Sequence, residues 1–344
     1  MVTIERLEKL VKYLPFPLGM WLTRMVTKEK FFLLDEIYNP FSCSVEKRLL
    51  LLLPGKGCAW YKKSGGCTMC GFAKRLKEIH KKWNLTAQDL INITKIALTL
   101  TYKQPKSLWI YNGGSFLNPD EIPREVQIKI AKMVKNHPTL TSLFVESRPE
   151  FIDEKTIIPL LREISPKILE IGIGLEAVTE RVRNIYIHKG TSLMEYERAV
   201  EYIKKLGGKV LTYVLLKPLG LSEKEAIEEV VKTIEYAFSV GSDEISLSCA
   251  FIQQGTVMEK FYREGKYRPP WLWSIIEVIK RTVYLGPVRI GSFEDEPPPI
   301  AIPHNCGKCD KEFLLAINHY NLNRNPEIFE KLSCTCREVW EKEK

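Results

Sequence analysis

The stretch Gly57-Cys58-Ala59-Trp60-Tyr61-Lys62-Lys63-Ser64-Gly65-Gly66-Cys67-Thr68-Met69-Cys70-Gly71-Phe72 follows an apolar run, Leu49 to Leu53, that reads as a buried strand. Eight residues separate Cys58 from Cys67 and two separate Cys67 from Cys70. A tetrahedral zinc site wants four protein ligands. Three thiolates on one loop instead suit a cubane 4Fe–4S cluster with one iron left open. A zinc knuckle completed by Cys43 or His80 is the alternative. The position of the loop, directly behind a strand, favours the cluster.

Outward from this loop, apolar runs rich in β-branched and aromatic residues alternate with helical patterns, which predicts a mostly parallel α/β sheet. Strands are expected near 48–53, 107–112, 141–146, 168–174, 209–216 and 243–248. Helix starts lie between them: Thr86 with Asp89 forms a capping box, Pro123 opens a first turn, Thr191 precedes 192–206, and Ser222 precedes 223–240. Gly207-Gly208 stops one helix before its strand. Six strand–helix units make a partial (βα)6 TIM-like barrel. Three regions are expected: an N-terminal helical extension over 1–45, the barrel over 46–293, and a cysteine-rich metal-binding tail over 294–344, joined by Glu294-Asp295-Glu296-Pro297-Pro298-Pro299. Gly255 to Gly265 reads as one further helix. Another opens at Tyr267-Arg268-Pro269-Pro270-Trp271-Leu272-Trp273 and runs to about Tyr284.

Length and composition set bounds. At 344 residues with 45% apolar content, the chain can bury a sizeable core. No apolar run approaches the roughly 18–20 residues of a membrane span. Early Glu5, Arg6, Glu8 and Lys9, without an apolar leader core, argue against secretion. Seven of the nine cysteines fall into two metal-ligand groups, which points to a reducing cytoplasm rather than to disulfides. Cys43 and Cys249 remain, read as buried free thiols. Net charge is +9, and between Lys56 and Lys82 eight Lys/Arg stand against one acid, Glu78. A surplus of this size beside the cysteine loop suits a polyanionic partner, with Lys62, Lys63, Lys74, Arg75 and Lys77 as candidate nucleic-acid contacts. The alternative is a solvated lysine-rich face.

Barrel enzymes build their sites at the carboxyl ends of strands. After the second expected strand comes Asn112-Gly113-Gly114-Ser115-Phe116, where adjacent glycines let backbone approach a ligand. After the third comes Glu146-Ser147-Arg148-Pro149, whose Ser147 and Arg148 are candidates for a ribose or carboxylate. The fourth ends in Gly172-Ile173-Gly174-Leu175-Glu176, too glycine-rich for mere core, with Glu176 a candidate for a cofactor hydroxyl. Lys217 ends the fifth and is a candidate substrate contact, with a surface lysine as the reading set before it; Cys249 ends the sixth and reads as packed. In the tail, Cys306-x2-Cys309 and Cys334-x-Cys336 fit a closed zinc site. An auxiliary iron–sulfur cluster uses the same ligands, and His304 is a substitute for one thiol.

Taken together, the cluster loop, Asn112 to Phe116, Glu146 to Glu150, Gly174 to Glu176, Tyr267 to Trp273 and the His304-Asn305-Cys306 tail resemble the archaeosine synthase beta subunit family of radical SAM enzymes. That family is related to the radical half of the Elongator catalytic subunit. The resemblance covers about residues 45–340, and the wide spacing of the first two cysteines is a mark of the family. It implies that Cys58, Cys67 and Cys70 hold a 4Fe–4S cluster whose open iron binds S-adenosylmethionine. It further implies that Met69, Gly113, Gly114, Ser115, Ser147, Arg148 and Glu176 contact that cofactor. The implied substrate is tRNA carrying, in its D-loop, a 7-deazaguanine joined to lysine, cut at the C–N bond to leave archaeosine. The implied partners are a lysine-transferring alpha subunit and a ferredoxin-like or flavodoxin-like electron donor. Another radical SAM tRNA-modifying enzyme, or a non-enzymatic zinc/RNA-binding protein, are the competing readings.

Overall fold

The computed structural model of the chain describes residues 31–294 and 298–344. One eight-stranded sheet runs in sequence order: β1 (Phe32–Asn39), β2 (Ser44–Leu52), β3 (Ser107–Tyr111), β4 (Ser142–Glu146), β5 (Ile168–Glu176), β6 (Lys209–Leu216), β7 (Glu244–Cys249) and β8 (Val288–Ile290). β1 pairs antiparallel with β2, and every later pair is parallel. Parallel neighbours need crossovers, and helices supply them. After β2 come α1 (Ala59–Ser64), α2 (Phe72–Trp83) and α3 (Ala87–Leu100). Then follow α4 (Arg124–Asn136), α5 (Glu154–Ile164), α6 (Leu193–Lys205) and α7 (Glu223–Val240). After β7 come α8 (Val257–Arg263) and α9 (Leu272–Thr282), and the tail holds α10 (Asp310–Asn323) and α11 (Arg337–Glu343). Among the described residues no helix is long and apolar enough to cross a membrane.

All six expected strands are present. Two more were not expected. The helical extension assigned to 1–45 lies outside the described residues up to residue 30, and beyond it Phe32–Asn39 is a strand. Its partner ladder to β2, not its local pattern, makes it one. The three-residue β8 is too short to leave a sequence signal. Capping boxes at Thr86/Asp89, Asp153/Thr156, Ser192/Glu195 and Ser222/Glu225 start α3, α5, α6 and α7. The cap of α6 is therefore Ser192, one residue later than expected. The expected linker falls partly on residues outside the description.

The sheet buries its outer face under the helices, with Leu49, Leu51, Ile110, Leu143, Val145 and Ile171 fully covered. Its inner face is closed at the strand amino ends by a plug. Trp109 stacks on Phe144 at 4.0 Å, and the guanidiniums of Arg48 and Arg289 each lie 4.7 Å from the Trp109 ring. Arg289 forks onto Glu244 at 2.8 and 2.7 Å. Nearby Glu170 is buried, and burial together with Glu244 pushes its carboxyl up to about 8.

The tail is part of the barrel wall. Asn321 of α10 accepts from the Ile290 N–H (2.9 Å) and donates to the Ile290 carbonyl (2.8 Å), pairing the free edge of β8 as a strand would. Arg324 donates to the Val288 carbonyl and to Glu244, and its guanidinium sits 5.6 Å from the Tyr38 ring on β1. α10 thus spans the gap between the first and last strands.

Candidate active site

The three loop cysteines sit at the carboxyl ends of the parallel strands. Gly57, at φ +85°, turns the chain into Cys58, which immediately precedes α1. Cys67 and Cys70 lie in the turn before α2, where the Cys70 N–H donates to the Cys67 carbonyl (3.1 Å). None is in a disulfide. Burial pushes the Cys67 thiol up to about 12, against the pull of Lys189 and with a further push from Cys70. Burial also raises Cys70, against the Ala73 N–H, and neighbouring Cys58 adds to the rise. Three half-buried thiols on one loop suit a shared metal group, whose charge would hold them as thiolates.

Segments that follow β3, β4 and β5 bolt this loop down. Trp60 Nε1 donates to the His188 carbonyl (2.7 Å), and His188 Nδ1 lies 2.8 Å from the Gly66 carbonyl. The Thr68 N–H donates to Ile187 and its hydroxyl to Tyr186, both at 2.9 Å. Arg148 donates to the carbonyls of Lys189 (2.9 Å) and Gly190 (3.0 Å) and to the Thr191 hydroxyl (3.1 Å). Its guanidinium also sits 5.2 Å from the Trp60 ring. On the other side, the buried Glu121 carboxylate accepts from the Ala59 N–H (2.9 Å), the Ser115 N–H (2.6 Å) and the Asn118 amide (3.1 Å). A Cβ on Gly114 would lie 1.9 Å from Glu121 Oε2 and 3.0 Å from the Cys58 Cα. Only glycine permits that approach.

Beside the cysteines lies a cleft of about 90 Å³, lined by Gly114, by Glu146, Ser147 and Arg148 after β4, and by Gly172, Gly174 and Tyr213. Glycines are required on its floor. A Cβ on Gly172 would meet the Phe144 ring at 2.6 Å, and one on Gly174 would meet Lys189 Nζ at 2.1 Å and Glu176 Oε1 at 2.4 Å. Lys189 and Glu176 form a buried pair at 2.8 Å, with Glu176 itself at φ +67°. Burial pushes the Glu146 carboxyl up to about 7. The Tyr213 hydroxyl is buried beside Glu146 and Tyr111, and burial together with these neighbours holds it well above its usual value.

Of the residues read from sequence for the cofactor, the structure places Gly114, Ser147 and Arg148 on the cleft. Gly113 (φ +64°) packs under α2 against Leu76. Ser115 is fully buried, its N–H held by Glu121 and its hydroxyl accepting from the Arg148 N–H. Met69 joins an apolar group with Leu215, Ile252 and Met258. Glu121, Lys189, Trp60 and Tyr213 were missed, and Glu146 was given no role. Lys217 is not a surface lysine: it is buried and paired with Glu223 at 2.8 Å. Of the two cysteines read as buried, Cys249 is, but Cys43 is exposed in the turn between β1 and β2, where no core covers it. The basic stretch is exposed at Lys56, Lys62, Lys63, Lys74, Lys77, Lys81 and Lys82, while Arg75 is half-buried.

The tail thiols form a second, tighter set. Cys306 lies 3.9 Å from Cys309 and 3.7 Å from Cys334, Cys309 lies 3.7 Å from Cys336, and all four sulfurs fall within 4.8 Å of one another. Sulfurs at the corners of a tetrahedron around one ion, with metal–sulfur bonds of about 2.3 Å, stand ~3.8 Å apart. The set therefore fits one mononuclear ion. The Asn305 amide donates to Cys309 Sγ (3.5 Å) and Trp273 Nε1 to Cys336 Sγ (3.4 Å), as donors to thiolates do. His304 is not in the set. The loop cysteines are in no such tight set among the described residues. Neither Cys43 nor His80, whose Nδ1 lies 2.9 Å from the Pro54 carbonyl, joins any close donor group among the described residues.

Comparison with known proteins places this geometry. The Radical SAM superfamily matches residues 52–234. Archaeosine synthase subunit beta of Methanosarcina acetivorans is 32% identical over 305 residues, covering 86% of this chain and 84% of that protein. Archaeosine synthase subunit beta of Thermococcus kodakarensis is 30% identical over 304 residues, covering 85% and 90%. Among solved structures, the archaeal Methanocaldococcus infernus Elp3 lacking its N-terminus superposes with a TM-score of 0.52 at 16% identity. The match covers 70% of this chain and 59% of that one, a likeness of fold.

Proposed function

The chain belongs to the radical SAM superfamily and, within it, to the archaeosine synthase subunit beta family, and from that membership we propose that it modifies tRNA by cutting a C–N bond. The bond joins a lysine side chain to a 7-deazaguanine in the D-loop, and its cleavage leaves archaeosine. One observation carries the reading. Three undisulfided thiols stand at the mouth of a half-barrel beside a glycine-floored cleft, inside a family of radical SAM enzymes.

Cys58, Cys67 and Cys70 would hold a 4Fe–4S cluster, and Gly114, Ser147 and the Glu176 region would hold S-adenosylmethionine in the cleft. Bound there, these groups supply one-electron chemistry able to take hydrogen from an unactivated carbon. The protein's own tasks are placement and dryness. Glu121 fixes the Cys58 side of the loop to the glycine turn of β3. Arg148, its donors committed to Glu150, to the carbonyls of Lys189 and Gly190 and to the Thr191 hydroxyl, braces the loop from the other side as a positioning residue. Gly113 and Ser115 act through the fold of their turn, and Met69 packs at the third ligand.

The tail set is assigned to zinc, held by Cys306, Cys309, Cys334 and Cys336 in a closed structural site. The tRNA is received by the basic stretch around the loop, through Lys62, Lys63, Lys74, Arg75 and Lys77. A lysine-transferring alpha subunit would supply the substrate, and a small ferredoxin-like or flavodoxin-like protein the electron. The test is reconstituted enzyme with reductant, S-adenosylmethionine and lysine-bearing tRNA, read by mass spectrometry. Archaeosine with 5′-deoxyadenosine is the expected outcome. Modification of another tRNA position would make the chain a different radical enzyme.

A further inference from the structure

After β7 the chain folds back over the strand ends into α8, and two hydrogen bonds fasten this segment to the cysteine loop. The Met258 N–H donates to the Thr68 carbonyl (3.1 Å), and the Gly71 N–H donates to Gln253 Oε1 (2.7 Å). Met258 is fully buried in the apolar group that also takes Cys67 and Met69. One side of α8 is thus committed to the loop.

The other side is bare. Val257 and Phe261, four residues apart and so on one helix face, are 48% and 38% exposed. Phe72, the first residue of α2, is 38% exposed as well. The surroundings are basic: Lys260 and Lys74 are exposed, and Lys74 Nζ comes within 3.5 Å of where a Cβ on Gly255 would stand. Exposed aromatic rings set among lysines, on a segment hydrogen-bonded to the cysteine loop, suit a partner with both phosphates and flat bases. A base that reaches the cysteine loop must leave its stack, and so leaves a neighbour without a stacking partner.

We propose that the Val257–Phe261 face of α8 is a stacking shelf for an unstacked RNA base next to the reacting nucleotide. The shelf rests on the tRNA reading above and adds to it the residues that seat the strand. Phosphates lie on the lysines of α1 and α2, and the base lies on the Phe261 ring. Two adjoining surfaces, one electrostatic and one apolar, then divide affinity between them.

The two contributions separate in a salt titration. Binding of tRNA to the cluster-loaded protein would be measured across potassium chloride for wild type, Phe261→Ala, Phe261→Trp and a Lys62→Ala/Lys63→Ala pair, with iron content and melting temperature as folding controls. Phe261→Ala should weaken binding roughly five- to 150-fold at every salt concentration, the worth of one aromatic stack, without changing the slope against salt. Phe261→Trp should restore it. The lysine pair should instead make the slope shallower, by about 0.7–0.9 for each phosphate that is no longer neutralised. Wild-type affinity in Phe261→Ala overturns the shelf, and so does a weakening that comes with a changed slope. If Phe261→Ala binds tRNA normally but no longer retains the lysine-transferring subunit, the face docks protein and the shelf is again overturned. A wild-type protein that binds no tRNA defeats the tRNA reading itself, and the shelf falls with it.

Discussion

At the residue scale, the site depends on atoms that are missing as much as on those present. Gly114 is held between Glu121 and the Cys58 backbone, with no room for a methyl group. Gly114→Ala should cost about 1–3 kcal/mol of stability through overpacking and should lower iron retained after anaerobic reconstitution. Iron analysis beside a melting curve checks both. Cys67→Ala should abolish cluster formation and 5′-deoxyadenosine production together; a variant that still makes 5′-deoxyadenosine shows the ligand assignment to be wrong. Both residues are visible in the sequence as types in a pattern. Glu121 and Lys189 are not. Each is one acid or one lysine among many until the fold carries it to the loop, 62 residues from Ala59 in one case and 122 from Cys67 in the other.

At the element scale, the tail works as the closing stave of the barrel, and its metal site anchors that stave to α9 through Trp273. One zinc per chain is expected on metal analysis of the purified protein; extra iron that depends on Cys306 would mark an auxiliary cluster instead. Cys309→Ala should lower the melting temperature far more than it lowers turnover, because a closed site has no open position for chemistry. Asn321→Ala removes both hydrogen bonds on the β8 edge and should cost about 1–2 kcal/mol, read as a melting shift with the metal still bound. The sequence announces the tail's four thiols by their pairing. It does not announce that α10 bridges β8 and β1, because the seam lies between strands more than 240 residues apart.

At the scale of the whole molecule, two carboxyls inside the barrel set a pH dependence. Glu170 is raised to about 8 and Glu146 to about 7, both by burial, above the usual carboxyl value of 4.5. The folded state therefore binds more protons than the unfolded chain between those values. This contribution to stability is full below about 4.5 and is lost as pH rises towards 8. Melting curves from pH 5 to 9 should show the fall, and Glu170→Gln should reduce it by about 1–3 kcal/mol; an unchanged pH profile in that variant would place the effect elsewhere. The sequence by itself determined the parallel α/β order, the two cysteine sets and the basic stretch. Strands buried on both faces are mostly apolar, and metal ligands on one turn must keep short spacings, so both leave local marks. Only the tertiary structure decided that Phe32–Asn39 is a strand, that Lys217 is buried, that Ser115 serves the turn, and that Glu121, Arg148 and residues 186–191 clamp the cysteine loop. Those facts rest on pairings between segments far apart in the chain, and a residue's partner across the fold leaves no trace in its neighbours along the sequence.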